Sequence, residues 1–230
     1  MATLIRHAVF ASTDTNGFTS SAIDTTGGDL IVINVASGAF TFSDSAGNTW
    51  TTAVSETTFS PESSYILYAW NANVSATHTF TITGSNISPS FEVLVFSGSK
   101  TSADPLDQVN HAHALAGTTI QPGSIMPSVD NCIIVSGLGH QDQTNTMSVD
   151  SSMTITDQIT QTNGQHVGSA AAYIFQGSAA AINPTWSEAA GNLFAATIAS
   201  FLPGVVLPPD ENVFIGEPQT GSSPIQGGLR

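Results

Sequence analysis

The sequence predicts an all-β protein: an antiparallel, jelly-roll-like β-sandwich with an internal two-fold sequence duplication and an extended C-terminal tail. Three observations lead there. Short runs rich in Val, Ile, Thr, Phe and Tyr alternate with clusters of Gly, Asn, Asp, Ser and Pro, which is strand-and-turn punctuation. Landmarks of the first half return in the same order about a hundred residues later. The last segment loses all apolar periodicity and fills with Pro and Gly.

Asp29 to Val35 (DLIVINV), Tyr65 to Trp70 (YILYAW), Phe91 to Phe96 (FEVLVF) and Cys132 to Val135 are continuous apolar runs, as strands buried on both faces should be. His78 to Thr83 (HTFTIT) and Met153 to Asp157 (MTITD) alternate, as half-exposed strands do. Asp44-Ser45-Ala46-Gly47-Asn48 is turn chemistry between Phe40-Thr41-Phe42 and Thr49-Trp50-Thr51-Thr52, and predicts a hairpin there. No segment has helical periodicity.

Six landmarks carry the repeat. Ile5-Arg6-His7-Ala8 returns as Val109-Asn110-His111-Ala112, and Asp29-Leu30-Ile31-Val32 as Asn131-Cys132-Ile133-Ile134. Thr49-Trp50-Thr51 returns as Thr154-Ile155-Thr156, Tyr68 as Tyr173, Phe80 as Trp186 and Phe91 as Phe194, with offsets confined to 102–106 residues. The expected body is residues 1–203, with copies at about 4–98 and 108–202, followed by a tail at 204–230. The connector 99–107 (SKTSADPLD) is short and lacks the Gly/Ser composition of a flexible linker, which favours one sandwich over two tandem domains. About 100 residues per copy leaves the tandem immunoglobulin-sized arrangement as the alternative.

Charge narrows the function classes. Seventeen acids face three bases, Arg6, Lys100 and Arg230, for a formal charge of −14. No basic stripe can form, so neither nucleic acid nor an anionic membrane surface is an expected partner. Neutral polar groups carry solubility, since only 9% of residues are charged while 40% are hydrophobic. The opening MATLIRHAVFAST has no long apolar stretch, so the expectation is a chain without a signal peptide. Cys132, the single cysteine, lies in an apolar run and reads as a small buried hydrophobe.

Chemistry-bearing candidates are few. His111-Ala112-His113 places two imidazoles on one side of a strand, and Asp107 is the acid nearest in sequence, so these three are the candidate metal ligands. The first copy has His7 but Val9 where the second has His113, which suits a repeated structural histidine better than a metal site. Accordingly no metal and no cofactor is expected. Asp44 to Asn48 lacks the spaced ligands of an EF-hand loop. There is no nucleophile elbow, zinc-protease helix, phosphate loop or dinucleotide fingerprint, and no catalytic residue is assigned. Glu56, Glu62, Glu92 and Glu188 are the acids that could meet as a glycosidase pair. Trp50, Trp70 and Trp186 could stack on sugars, although Trp50 and Trp186 occupy repeated strand positions that suit the core. In the tail, Val205, Val206, Leu207, Val213, Phe214 and Ile215 are the expected apolar anchors onto a neighbouring subunit.

Asp44-Ser45-Ala46-Gly47-Asn48-Thr49-Trp50, Phe96-Ser97-Gly98, Asp104-Pro105-Leu106-Asp107 and Ile120-Gln121-Pro122-Gly123-Ser124 together resemble a family of duplicated β-sandwich proteins. That family is encoded in tailed-phage genomes and in some bacterial surface proteins. The resemblance covers about residues 4–202 and consists of turns and strand ends, which specify fold more than activity. It implies a non-enzymatic virion or cell-surface structural role. The expected absence of a signal peptide favours the virion, assembled in the host cytoplasm, with a place as capsid decoration or head fibre. Other virion proteins and copies of the chain itself are then the expected partners. A tail or baseplate component, or a carbohydrate-binding or adhesive module with glycans as partners, is the alternative.

Overall fold

The structure, a computed structural model, describes residues 1–12, 16–59, 62–85, 88–141, 146–160 and 167–204, and every regular element in them is a β-strand. The first half supplies β1 (Thr3–Ala11), β2 (Gly17–Thr19), β3 (Leu30–Ala36), β4 (Phe40–Asp44), β5 (Thr51–Glu56), β6 (Ser64–Trp70), β7 (Phe80–Gly84) and β8 (Ser90–Ser97). The second supplies β9 (Leu106–Ile120), β10 (Cys132–Gln141), β11 (Ser148–Val149), β12 (Thr154–Ile159), β13 (Val167–Gln176) and β14 (Trp186–Phe201). All pairings are antiparallel, and the chain is an all-β sandwich as the sequence predicts.

Sheet I has the order β1-β8-β3-β6-β5 and sheet II the order β9-β14-β10-β13-β12, with β11 also on β14. Substituting β9, β10, β12, β13 and β14 for β1, β3, β5, β6 and β8 converts one order into the other. The correspondence extends to irregularities. A bulge breaks the β1–β8 register between Leu4 and Arg6, and another breaks β9–β14 at Asp107, beside Leu106. The edge pairs carry matching bulges, between Thr52 and Val54 and between Ile155 and Asp157. The isolated bridge Ile23–His78 has its counterpart in Ile125–Ile182.

A third, small sheet, β2-β7-β4, lies on the outer face of sheet I. Its counterpart in the second half is the far end of β9 and the near end of β14, flanked by β11. There the strands run on unbroken, whereas in the first half the chain breaks between β1 and β2 and between β7 and β8. The layering explains why β3 is buried along its whole length. Its inward residues Leu30 and Val32 join the inter-sheet core with Phe96, Ile133, Val135 and Phe201, while Ile31, Ile33 and Val35 pack outward against Phe80, Ile82 and Phe91.

The register corrects four landmarks: by pairing, His7 corresponds to Val109, Thr51 to Thr154 and Phe91 to Ala196, and β3 is shifted against β10. Leu30, Val32 and Asn34 face the sandwich interior, and so do Ile133, Val135 and Gly137, so β3 corresponds to β10 one residue further on than the sequence match suggests. A slip of one residue exchanges the two faces of a strand, and both strands are apolar on both faces, which hides the slip. The pairings keep Tyr68 with Tyr173.

The sheets meet with β1 over β12, β8 over β13, β3 over β10, β6 over β14 and β5 over β9. That set maps onto itself when the halves are exchanged, so a local two-fold passes between β3 and β10. Asn34 and Gly137 sit on it. A Cβ on Gly137 would lie 2.0 Å from Asn34 Oδ1, so only one of the two positions can carry a side chain. Asn34 Nδ2 donates to Glu92 Oε2 (2.8 Å) and to the backbone oxygen of Ala170 (3.1 Å). Ser64 Oγ donates to Asn34 Oδ1 (3.2 Å) and shares a 2.8 Å hydrogen bond with Thr197 Oγ1, while Ser169 Oγ donates to Glu92 Oε1 (2.6 Å). All five residues are fully buried, and the network satisfies them internally.

Burial pushes the Glu92 carboxyl up to about 8, against the hydrogen bonds from Ser169 and Asn34 and with a smaller push from the Asp157 charge. The folded protein therefore holds Glu92 protonated at pH values where the unfolded chain, with an ordinary value near 4.5, has lost that proton. Stability is expected to fall as pH rises from about 4.5 to about 8, by a few kcal/mol, and then to level. Urea midpoints measured across that range should show the slope in the native protein and lose it in Glu92→Gln; an equal slope in both would refute the assignment. Gly137→Ala should destabilise by about 1–3 kcal/mol through overpacking. The exchange Asn34→Gly with Gly137→Asn should recover at least half of that loss in thermal melts.

Candidate functional site

Edge strands of opposite sheets meet at the two rims of the sandwich, and a histidine–carboxylate contact closes each. At one rim His7 Nδ1 lies 2.8 Å from Asp157 Oδ2. At the other, His111 Nδ1 lies 2.7 Å and His113 Nδ1 3.5 Å from the same oxygen, Glu56 Oε2. Glu56 is buried, and its Oε1 accepts the Thr58 N–H at 2.8 Å. Burial alone would raise its carboxyl, but the hydrogen bonds from Thr58, His111 and His113 outweigh it and hold the group down at about 2. An ionised carboxylate only accepts, so His111 Nδ1 carries the hydrogen. Phe59 packs edge-on against the His113 ring at 5.1 Å.

This corrects the candidate metal set. His111 and His113 do converge on one carboxylate, but it belongs to Glu56 on β5 and not to Asp107. Asp107 sits in the β9 bulge, where its Oδ2 accepts Ser128 N–H (2.9 Å) and Ser200 Oγ–H (3.1 Å). Those bonds take Asp107 out of the imidazole row and hold its carboxyl below the ordinary range against the opposing effect of burial. Among the described residues, no group of three or more His, Cys, Asp or Glu is arranged to hold a metal ion. Glu56 is remote in sequence, and only the pairing of β5 above β9 brings it to the histidines.

A second polar chain runs Thr25–His78–Asp44. Thr25 Oγ1 is 2.9 Å from His78 Nδ1, and His78 Nε2 is 3.3 Å from Asp44 Oδ1. The order hydroxyl, imidazole, carboxylate is that of a nucleophile triad, but Thr25 and His78 are fully buried and Thr25 Oγ1 is also bonded to the Ser75 backbone. The arrangement fixes a turn. Asp44 Oδ1 accepts the N–H groups of Ala46 (2.8 Å) and Asn48 (3.2 Å), and Oδ2 accepts the Trp50 indole N–H at 2.7 Å. Burial would raise the Asp44 carboxyl, yet bonds from His78, Asn48 and Trp50 bring it down to about 2. The expected hairpin does not form. β4 pairs with β7 and β5 with β6, so the Asp44 turn carries the chain from the small sheet to sheet I.

The other candidates are dispersed. Glu92 lies between the sheets, Glu188 stands 3.8 Å from His140, and Glu62 is buried just ahead of β6. Trp186 is core, Trp70 packs at the margin of the inter-sheet core, and Trp50 is half-buried in an aromatic groove. Cys132 donates to the Val129 carbonyl, with its thiol pushed up to about 11 by burial and the nearby Asp107 charge, as an inert core residue. The tail anchors Val205, Val206, Leu207, Val213, Phe214 and Ile215 lie outside the described residues.

The longest continuous surface feature is β9. Among the described residues it pairs only with β14, it spans 15 residues, and it contains no Lys, Arg or Pro. Val109 (42% exposed) and Leu115 (67%) flank His111 and His113 on one face. Met126 and Val129 are also exposed, on a segment tied to β9 by Asn110 Nδ2–H to the Ser124 carbonyl and by Ser128 N–H to Asp107. Sequence reading missed this edge because Leu106 to Ile120 mixes polar and apolar residues without strict alternation.

Glu56 contributes stability that is present above its unfolded value near 4.5 and is lost as pH falls toward 2. Glu56→Gln is expected to cost about 0.2–1 kcal/mol near neutral pH and to flatten the acid limb of the urea midpoint; an unchanged acid limb would contradict the clasp. No family model matches the sequence, and no curated protein or solved structure shows significant similarity to it.

Proposed function

We propose that the chain is a non-enzymatic structural protein of a phage virion, acting as capsid decoration or a head-fibre component and assembled in the host cytoplasm. The observation that carries the assembly part is the open edge of β9. Long sheet edges are templates for another strand, and proteins that stay monomeric guard them with lysine, proline or bulges along their length. Here the β9–β14 register is regular from Gln108 to Ala114, with irregularities only at Asp107 and beyond Ala114, no lysine or proline lies in the strand, and apolar side chains stand exposed beside the edge. The described chain ends close by, since Leu202 N–H bonds to the Pro105 carbonyl, next to the first residue of β9. Twenty-six residues follow Gly204, including two apolar triplets, and in this reading they engage a neighbouring copy or another virion protein.

The virion part rests on the resemblance in the turns and strand ends. A tail or baseplate position would use the same edge and the same segment. The matched pairings of the two halves support descent from one duplicated unit. With a formal charge of −14, copies repel one another until cations screen them or a more basic surface receives them.

Truncation after Pro203 is expected to leave a folded, soluble sandwich that no longer joins its assembly. Occupancy in purified particles, measured by mass spectrometry and electron microscopy, checks this. Symmetry-related copies of the full chain support the proposal, whereas unchanged occupancy of the truncated chain refutes the role of the tail.

A further inference from the structure

A groove opens where the small sheet leans away from sheet I. It has a volume of about 350 Å3 and is lined by Phe40, Phe42, Trp50, Thr52 and Tyr65, with Leu67 at its floor. A separate, shallower concavity of about 430 Å3 borders the other side of β4, beside Thr41 and Thr83. The first volume alone is in the range of small-molecule sites.

The rings are held before any ligand arrives. Trp50 is fixed by its indole bond to Asp44 and by edge contacts with Phe42 (5.1 Å, 84°) and Phe80 (6.2 Å, 68°). Phe40 meets Tyr65 edge-on at 4.9 Å. The Tyr65 hydroxyl stays neutral, with burial raising its value, and so can both donate and accept. Thr52 adds an exposed hydroxyl at the mouth. Among the described residues, β4 pairs only with β7 and β5 only with β6, so the groove runs between two strand edges with backbone groups to offer.

Charge decides the ligand class. None of the three bases lines the groove and the chain carries −14, which disfavours an anion. No acid lines the groove to pair with a metal or ammonium ion, and Asp44, which is bonded to Trp50, has its oxygens committed to Ala46, Asn48, His78 and Trp50. Rigid rings, flanking hydroxyls and an uncharged lining suit a sugar, whose C–H faces stack on aromatics while its hydroxyls take up hydrogen bonds. We propose that this groove binds a neutral oligosaccharide. The inference is independent of the assembly reading and adds a recognition function to it.

The full chain should be tested on an array of neutral, acidic and amino glycans, with hits titrated by saturation-transfer NMR. Neutral oligosaccharides are expected to bind with Kd of about 0.1–1 mM. Thr52→Trp, which fills the mouth from an exposed position, should weaken binding about tenfold or more without lowering the melting temperature. Tyr65→Phe should weaken it less, by loss of one hydroxyl. No neutral glycan binding at about 10 mM ligand would overturn the proposal. Binding unchanged in both variants, or confined to quaternary ammonium compounds or to an extended peptide, would also overturn it.

Discussion

Where β3 crosses β10, the two halves must share one point in space. Positions related by a two-fold and lying on it face each other, so two side chains of any size collide there. This chain resolves the conflict with Asn34 on one strand and Gly137 on the other. The missing side chain lets the Asn34 amide reach through sheet II to the backbone oxygens of Leu138 and Ala170. Nearby, the absent Cβ of Gly139 leaves room for the Ser63 carbonyl, which would otherwise lie 2.1 Å away. Two glycines on one strand therefore set how closely the sheets approach at the centre.

The polar network around that point inherits the symmetry and then departs from it. Ser64 bonds to Thr197 while Ser169 bonds to Glu92, and the pairings make Ser64 correspond to Ser169 and Thr197 to Glu92. One side has a hydroxyl pair and the other a hydroxyl–carboxyl pair. Glu92 and Asn34 are neighbours on adjacent strands, so the longer acid completes the amide that has no equivalent across the axis. A buried acid is tolerated because each oxygen has a hydrogen-bond partner, Ser169 or Asn34, and because burial keeps the group protonated up to about pH 8. The rims show the same logic displaced. His7 corresponds by pairing to Val109, and His111 to Val9, yet each rim closes with an imidazole against a carboxylate. The two clasps are equivalent in role and one pleat apart in position.

That displacement shows what was legible in the amino-acid sequence. Strand identity was, because buried runs such as LIVINV and FEVLVF have only one sensible placement in a chain without helical periodicity. The match of Tyr68 with Tyr173 also keeps its register. Matching His7 to His111 found residues of like chemistry at the wrong pleat, since no local signal distinguishes a two-residue slide along an edge strand. By sequence alone Glu56 is a possible catalytic acid and Asp107 a neighbour of the histidines. The reverse placement follows from β5 lying over β9 and from a bulge that turns Asp107 away, and both are long-range consequences of sheet packing. The hairpin expected at Asp44 failed for a related reason. Its turn residues are correctly read, but Trp50 and His78 bind the same carboxylate and draw the chain between layers.

The two halves use one pairing scheme to build different surfaces, and the difference lies in strand continuity. In the first half the chain breaks twice, which frees β2, β7 and β4 to fold over the outer face of sheet I as a separate layer. Covering that face brings in Phe18, Phe40, Phe42 and Trp50, and the line where the layer lifts off is the aromatic groove. In the second half β9 and β14 each continue as one strand, and their pairing resumes at Thr119 and Ile120 after an irregular stretch between Ser187 and Phe194. Its outer face is covered instead by Met147, Met153, Ile125 and Ile182 from loops and short elements. Continuity gives β9 its length, and length carries it beyond the cover of β5, which is only six residues long. A break in the first half thus goes with a concave, aromatic surface, and its absence in the second with a long open edge. A difference at the strand joints, with the core pairings the same in both halves, is sufficient to give one sandwich two chemically distinct faces.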